Sequence, residues 1–196
     1  MTMNNLASKI FKYRSYTPIP FLLVMIFFQR ATIESMLIGF AMILIGESFR
    51  LWGVAYAGSE TRTTGEVGGT YLVVSGAFAY VRNPLYLGNI LIYLGVGVMS
   101  MALFPYLQIA AFIFFYAQYH FIIAEEEEYL TKTFKEQYEE YKRNVPKLIP
   151  RFTAFKGDGI KQPPLNLKAG LRSERRTFQA IGSVIIILIV LFYFNV

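Results

Sequence analysis

The chain has 196 residues, of which 55% are hydrophobic and 16% are charged, whereas soluble domains are about a quarter charged. This composition excludes an ordinary water-soluble domain. The net charge of +6 is what membrane topology and anionic lipid headgroups produce, so it does not indicate a nucleic-acid partner. The chain contains no cysteine, which excludes disulfides, thiolate metal sites and cysteine nucleophiles, and we predict no metal site.

Apolar segments long enough to cross a bilayer recur along the chain. A hydrocarbon core of about 30 Å needs roughly 20 apolar residues. The segments are 18–28, 36–57, 85–104, 105–124 and 178–194. The first is the weakest, so four spans is the alternative. We predict an all-α polytopic membrane protein with about five transmembrane helices and a cytoplasmic cofactor-binding region of helix and loop. Glu47 and Arg50, three apart on the second span, are expected to pair with each other.

Basic residues predict the orientation in the membrane. Lys9, Lys12 and Arg14 precede the first span, and Arg62 and Arg82 lie between the second and third. The segment 142–176 holds ten Lys or Arg against two acidic residues, and the turn at 100–106 is uncharged. The positive-inside rule then places the N-terminus inside, the C-terminus outside and both basic loops in the cytoplasm. The membrane would be a plasma or inner membrane, or the endoplasmic reticulum in a eukaryote.

The segment after the fourth span reads as a helix over 125–143. Leu130, Phe134, Tyr138 and Tyr141 recur at spacings of four, four and three, which makes one apolar stripe among charged residues. Residues 153–176 are polar, basic and rich in glycine and proline. They are predicted to form a linker to the last span.

The third and fourth spans adjoin, so they must form an antiparallel hairpin. Their far ends, Arg82-Asn83-Pro84 and the glutamates at 125–128, should therefore meet at one membrane face. Pro84 suits the first turn of a helix, whose free N–H groups, with Arg82 beside them, favour an anion. The glutamates suit a cation or hydroxyl groups. The site thus favours a zwitterion such as S-adenosylmethionine, although charge alone does not single it out. Arg82 could instead be a topological anchor only.

Two stretches carry a resemblance: "VRNPLYLG" and, after the hairpin, "EEEEYLTKTFKEQYEEYKRNVPKLIP". Together they resemble the isoprenylcysteine carboxyl methyltransferase family and its phospholipid methyltransferase relatives, over about residues 40–152. The resemblance implies S-adenosylmethionine bound at the cytoplasmic face, and a lipid acceptor that arrives from the bilayer. Cofactor-binding roles carry over to Arg82, Asn83, Pro84, Tyr86, Gly88, Glu126, Glu127, Tyr138 and Tyr141. The alternative for the two tyrosines of the later helix, which their apolar stripe favours, is that they pack that helix on the membrane surface.

Two positions depart from the family pattern. Asn83 replaces the usual histidine, so it can donate a hydrogen bond but cannot carry charge or a proton. Lys135 replaces the usual glycine after Phe134, which puts the local backbone geometry in question. The last span lies beyond the resemblance. The single membrane domain 1–196 is thereby divided into N-terminal spans (1–57), a methyltransferase-like core (58–152) and a basic linker with the C-terminal span (153–196).

The expected function is an integral membrane, S-adenosylmethionine-dependent methyltransferase acting on a lipid or prenylated acceptor. A sulfonium donor is already activated, so no strong base is required and no catalytic residue is assigned. One alternative is an NADPH-dependent membrane reductase of the sterol-reductase type, which the glutamate-rich pocket argues against. The other is a non-catalytic membrane protein with a decayed cofactor pocket. The identity of the acceptor, the atom methylated and the oligomeric state stay open.

Overall fold

The computed structural model describes residues 11, 13–58 and 71–194. Its α-helices are α1 (Pro18–Phe27), α2 (Ile33–Ala57), α3 (Pro84–Ser100), α4 (Tyr106–Asn144) and α5 (Leu167–Tyr193), with a short 3-10 helix at Gly76–Ala79. No strand occurs among these described residues, so the prediction of an all-α fold is confirmed. Lys9, Lys12 and Arg62, on which the topology prediction partly depends, lie outside the described residues.

Three of the helices are long and apolar enough to cross a membrane: α2, α4 and α5. The other two apolar helices are shorter, with 10 residues in α1 and 17 in α3. At 1.5 Å per residue α3 extends about 25 Å, the lower limit for a span. The described part of the chain therefore contains three candidate spans, and the count of about five remains a prediction.

Helices α2 and α3 form the most extensive helix contact. Glycines seven residues apart face each other across it. A Cβ on Gly39 would lie 2.4 Å from the Gly95 carbonyl oxygen, and one on Gly46 would lie 2.7 Å from that of Gly88. The earlier glycine of α2 faces the later glycine of α3, and the later glycine of α2 faces the earlier one of α3. The two helices therefore run antiparallel. Small residues at such crossings let helix backbones approach closely inside a membrane.

Helix α4 is longer than a bilayer crossing requires. Its 39 residues extend about 58 Å, nearly twice the thickness of a hydrocarbon core. We take 106–124 as its membrane-spanning part and 125–144 as the part beyond. The predicted helix over 125–143 is thus confirmed, as a continuation of the span. It has one break, at Lys135, where φ is 47° and ψ is −121°.

The predicted linker is wrong for residues 167–176, because α5 already begins at Leu167. The Asn166 side chain accepts a hydrogen bond from the Ala169 N–H at 2.9 Å and caps the helix. The Asn166 N–H donates to the Ala55 carbonyl at 2.8 Å. Gly170 lies close to Ala55, since a Cβ there would be 3.1 Å from the Ala55 Cα. The start of α5 is therefore docked on the end of α2.

Candidate active site

The ends of the α3–α4 hairpin meet, as the sequence predicts. The Nε and Nη2 atoms of Arg82 each lie 3.0 Å from Glu127 Oε1. The Arg82 Nη1 donates to the carbonyls of Lys142 at 2.8 Å and Val145 at 2.5 Å. Arg82 thus joins the start of α3 to the end of α4. Its donors are directed at the protein, and its principal role in this arrangement is to assemble the site.

The residues beside Arg82 hold the loop that follows α4. The Asn83 Nδ2 donates to the Lys147 carbonyl at 3.1 Å, and the Arg82 N–H donates to the Pro146 carbonyl at 2.9 Å. Pro84 begins α3 and is buried. The contact with the Lys147 carbonyl requires only a neutral N–H donor. Asparagine can therefore replace the usual histidine at position 83 in this local structure.

Glu126 and Glu127 have different surroundings although they are neighbours. Glu127 is 7% exposed and pairs with Arg82, with Lys147 Nζ 3.8 Å away. Glu126 instead accepts a hydrogen bond from the Tyr86 hydroxyl at 2.6 Å. Desolvation raises the pKa of Glu126 above its ordinary value of 4.5, while the Tyr86 hydrogen bond and the charge of Arg14 oppose that rise. Among the described residues Glu126 forms no ion pair, so its charge is directed to the cavity.

Gly88 lies in the contact between α2 and α3. A Cβ there would be 2.4 Å from Arg50 Cγ and 2.5 Å from the Gly46 carbonyl oxygen. The glycine of the first motif therefore allows two helices to approach closely. Its role in cofactor binding stays a prediction.

Tyr138 and Tyr141 pack the far part of α4 onto the segment before α3. They are 1% and 2% exposed and cluster with Leu72, Val74 and Val145. The Tyr141 hydroxyl donates to the Phe78 carbonyl at 2.8 Å. Both tyrosines also line the cavity described next, so they form part of its wall as well as of a packed cluster.

One cavity of about 930 Å³ connects these residues with the apolar interior of the bundle. Its charged end is lined by Arg82, Asn83, Tyr86, Glu126, Glu127 and Tyr138. Its apolar end is lined by Leu22, Ile92, Val96, Ile181 and Val184. Ligand pockets commonly measure about 300–1,000 Å³, so the volume of this cavity lies in the upper part of that range.

A buried polar cluster beside the cavity includes a partner that the sequence analysis missed. Arg50 Nε lies 3.5 Å from Glu47 Oε2, as predicted. The Arg50 Nη2 also donates to Glu174 Oε2 at 2.7 Å and to Thr177 Oγ1 at 3.3 Å, and Nη1 donates to Asn89 Oδ1. The sequence analysis does not identify Glu174 because it predicts a linker over this segment. The spacing of Gly170, Glu174 and Thr177 on one helix face is the signal that could have revealed it.

Comparison with known proteins shows which family this chain belongs to. The sequence profile of the phospholipid methyltransferase family matches residues 35–137, which takes in α2, α3 and most of α4. The chain belongs to the phospholipid methyltransferase family. The matched part contains the start of α3 and the glutamates of α4, so it includes the charged end of the cavity except for Tyr138. Helix α5 lies outside it.

Two curated relatives are named for metal resistance. The chain is 32% identical over 124 residues to the cobalt-zinc-cadmium resistance protein CzcN of Cupriavidus metallidurans, covering 62% of this chain and 50% of that protein. It is 29% identical over 124 residues to the nickel-cobalt-cadmium resistance protein NccN of Alcaligenes xylosoxydans xylosoxydans, covering 62% and 51%. The chain thus spans about half the length of the curated relatives it matches. No solved structure gives a significant match.

Proposed function

We propose that this member of the phospholipid methyltransferase family is an integral membrane enzyme that transfers a methyl group from S-adenosylmethionine to a lipid or prenylated acceptor. The observation that supports this most is the 930 Å³ cavity, which joins a charged end to an apolar end inside a helix bundle. A charged cofactor and an apolar acceptor need such neighbouring regions for the methyl group to pass between them. Holding the two together and excluding water is the main contribution a protein can make to this reaction.

The residues of the charged end fit the groups of the cofactor. The first N–H groups of α3 have no partner within the helix and favour a carboxylate. Leu85 and Tyr86, at that helix start, line the cavity. Glu126 supplies the negative charge for the ammonium or sulfonium group. Arg82 and Glu127 would then keep the two halves of the pocket in register, with Arg82 adding positive potential at the carboxylate end.

The methyl donor determines what the protein's residues must do. S-adenosylmethionine supplies an activated methyl group when bound, so the acceptor atom needs only to be correctly oriented and, if it is an amine, to arrive neutral. No nucleophile of the protein is required. Binding, orientation and exclusion of water are assigned to the cavity wall, and no catalytic residue is assigned.

The orientation in the membrane belongs to the same proposal. Five spans, an inside N-terminus and an outside C-terminus would place the charged end of the cavity at the cytoplasmic face. A reporter fused after Val196 should then be exposed on the outside. A reporter read from the cytoplasm would require an even number of spans and would remove α1 or α5 from the spanning set.

Cofactor binding by the purified full-length protein tests the function. Calorimetry in detergent should show binding of S-adenosylmethionine and of its demethylated product, S-adenosylhomocysteine, and none of NADPH. The reverse preference would indicate a reductase of the sterol-reductase type. Binding of neither would indicate a non-catalytic protein with a decayed pocket.

A further inference from the structure

A second charged surface lines the cavity where α2 faces α5, away from the glutamates. It consists of Arg50 from α2 with Arg176 and Thr177 from α5. Glu47 and Glu174, which hold Arg50, are not among the residues that line the cavity. The cavity wall here therefore presents guanidinium and hydroxyl groups, with the carboxylates behind them.

Arg50 is rigidly held in this surface. It is 7% exposed and donates to Glu174, Thr177 and Asn89 on two other helices. Asn89 in turn hydrogen-bonds the Tyr119 hydroxyl, which hydrogen-bonds Tyr93. A guanidinium fixed in this way loses little conformational freedom when it meets a ligand.

The two guanidinium groups of this surface differ in their surroundings. Arg50 is paired with the buried carboxylates of Glu47 and Glu174. Arg176 is exposed and forms no ion pair with a described residue. Arginine has donors only, and its fork matches the oxygens of carboxylate and phosphate. The surface therefore suits an anionic group and disfavours an ammonium group.

An apolar wall begins directly beside these arginines. Ile181 and Val184 follow Thr177 by one and two turns of α5, and Ile92 and Val96 face the same cavity from α3. Building on the proposed function, we infer that Arg50, Arg176 and Thr177 form the head-group subsite for the methyl acceptor. Its occupant is an amphiphile with an anionic oxygen group, a carboxylate or a phosphate, on an apolar chain that lies along α3 and α5.

Native mass spectrometry of the full-length protein released from detergent micelles tests this inference. Three probes share a twelve-carbon chain and differ in the head group: dodecanoate, dodecyl phosphate and dodecylamine. S-adenosylhomocysteine is present throughout. The parent protein should retain one or both anionic probes about tenfold more than the amine, because a charge-assisted hydrogen bond changes affinity by about that factor. The stronger of the two anionic probes indicates whether the natural head is a carboxylate or a phosphate.

Neighbouring arginines provide the variant and its control. Arg176→Gln should lower retention of the anionic probes about threefold to tenfold, since this side chain is exposed and its contribution is screened. Arg175→Gln removes the same charge from the preceding residue, which is exposed and does not line the cavity. This control should retain the anionic probes as the parent does. The triple variant Arg50→Gln, Glu47→Gln and Glu174→Gln removes all three charges of the buried cluster together and should abolish the preference for anionic heads.

Each outcome decides the inference. Equal retention of amine and anionic probes would overturn it, and so would equal effects of Arg175→Gln and Arg176→Gln, which would indicate diffuse surface charge only. The same spectra report S-adenosylhomocysteine. If S-adenosylhomocysteine is retained but the anionic probes are not preferred, the subsite is contradicted and the proposed function is still supported. Preference for the anionic probes without retained S-adenosylhomocysteine would leave a subsite for anionic amphiphiles and contradict the proposed function.

Discussion

Arg82 and Glu127 lie 45 positions apart in the chain, yet Arg82 Nε and Glu127 Oε1 are 3.0 Å apart. The α3–α4 hairpin brings them together, and both side chains are about nine-tenths buried. Arg82 also donates to the carbonyls of Lys142 and Val145. This one side chain therefore joins the two motifs to the end of α4, and the charged end of the cavity is built around that junction.

Arg82→Ala should destabilise the protein as well as weaken cofactor binding. The change leaves Glu127 buried with Lys147 at 3.8 Å as its remaining cation, and removing one partner of a buried pair costs about 3 kcal/mol. Unfolding in mixed micelles, followed by circular dichroism, measures the loss. Arg82→Lys should restore only part of it, because an ammonium group cannot form the forked contact.

The control for this prediction is an exposed ion pair on the same helix. Lys132 pairs with Glu128 on the surface of α4, and such pairs contribute about 0.5 kcal/mol or less. Lys132→Ala should therefore unfold nearly as the parent does. Parental stability of Arg82→Ala combined with weaker binding of S-adenosylhomocysteine would show that Arg82 acts on the ligand rather than on the assembly of the site.

Gly88→Ala should destabilise the α2–α3 contact by about 1–3 kcal/mol, the usual range for overpacking. The added methyl group would meet the Gly46 carbonyl oxygen at 2.5 Å, and a backbone atom cannot move aside cheaply. Gly182→Ala is the matched control on α5, since a Cβ there meets nothing within 4 Å. Equal stability of the two variants would show that α2 and α3 cross less closely than the structure has them.

Hydropathy and motif spacing predicted much of this protein because those signals are local. The apolar runs located α2 and α4, and the adjacency of two runs predicted the hairpin that joins Arg82 to Glu127. The carbonyl groups that accept from Arg82 were not predictable. They reach Arg82 only because of the path that the chain takes at the end of α4. A sequence pattern does not distinguish a basic residue that binds a ligand from one that binds carbonyls.

The contact between Arg50 and Glu174 shows a second limit of sequence analysis. The residues are 124 positions apart, and their meeting depends on how α5 docks against α2. The sequence predicts a linker at the start of α5 because the segment 153–176 as a whole is polar and basic and contains glycine and proline. Gly88 shows a third limit, since a motif glycine reads the same whether it serves a ligand or a helix crossing.

Lys135→Gly should stabilise the protein by about 1 kcal/mol. Lys135 has φ 47° and ψ −121°, a conformation that side-chain-bearing residues adopt at a cost of about 1–3 kcal/mol. Glycine removes that strain but brings a more flexible unfolded chain, which offsets part of the gain. Lys132→Gly, three residues earlier in regular helix, should instead destabilise by about 1 kcal/mol. If both variants lose stability in mixed-micelle unfolding, the backbone at Lys135 is helical in the protein in solution.

Glu126→Gln should weaken binding of S-adenosylmethionine about 10- to 150-fold, because it removes the charge from one side of a hydrogen bond to the cofactor's cationic group. The amide keeps the size of the side chain and an oxygen that can accept from Tyr86. Equilibrium dialysis with labelled cofactor measures the change. Glu128→Gln is the control, since Glu128 is exposed and pairs with Lys132, and it should bind as the parent does.

The pH dependence of binding separates the charge of Glu126 from its shape. Because desolvation raises the pKa of Glu126 above 4.5, the carboxylate takes up a proton earlier than an ordinary glutamate as the pH falls. A protonated carboxyl group attracts a cation only weakly, so cofactor affinity should decline as the pH is lowered and start to do so above 4.5. The decline should disappear in Glu126→Gln, which should bind the cofactor weakly at every pH. An identical pH profile in parent and variant would show that another group carries the titration, and that Glu126 does not meet the cationic end of the cofactor.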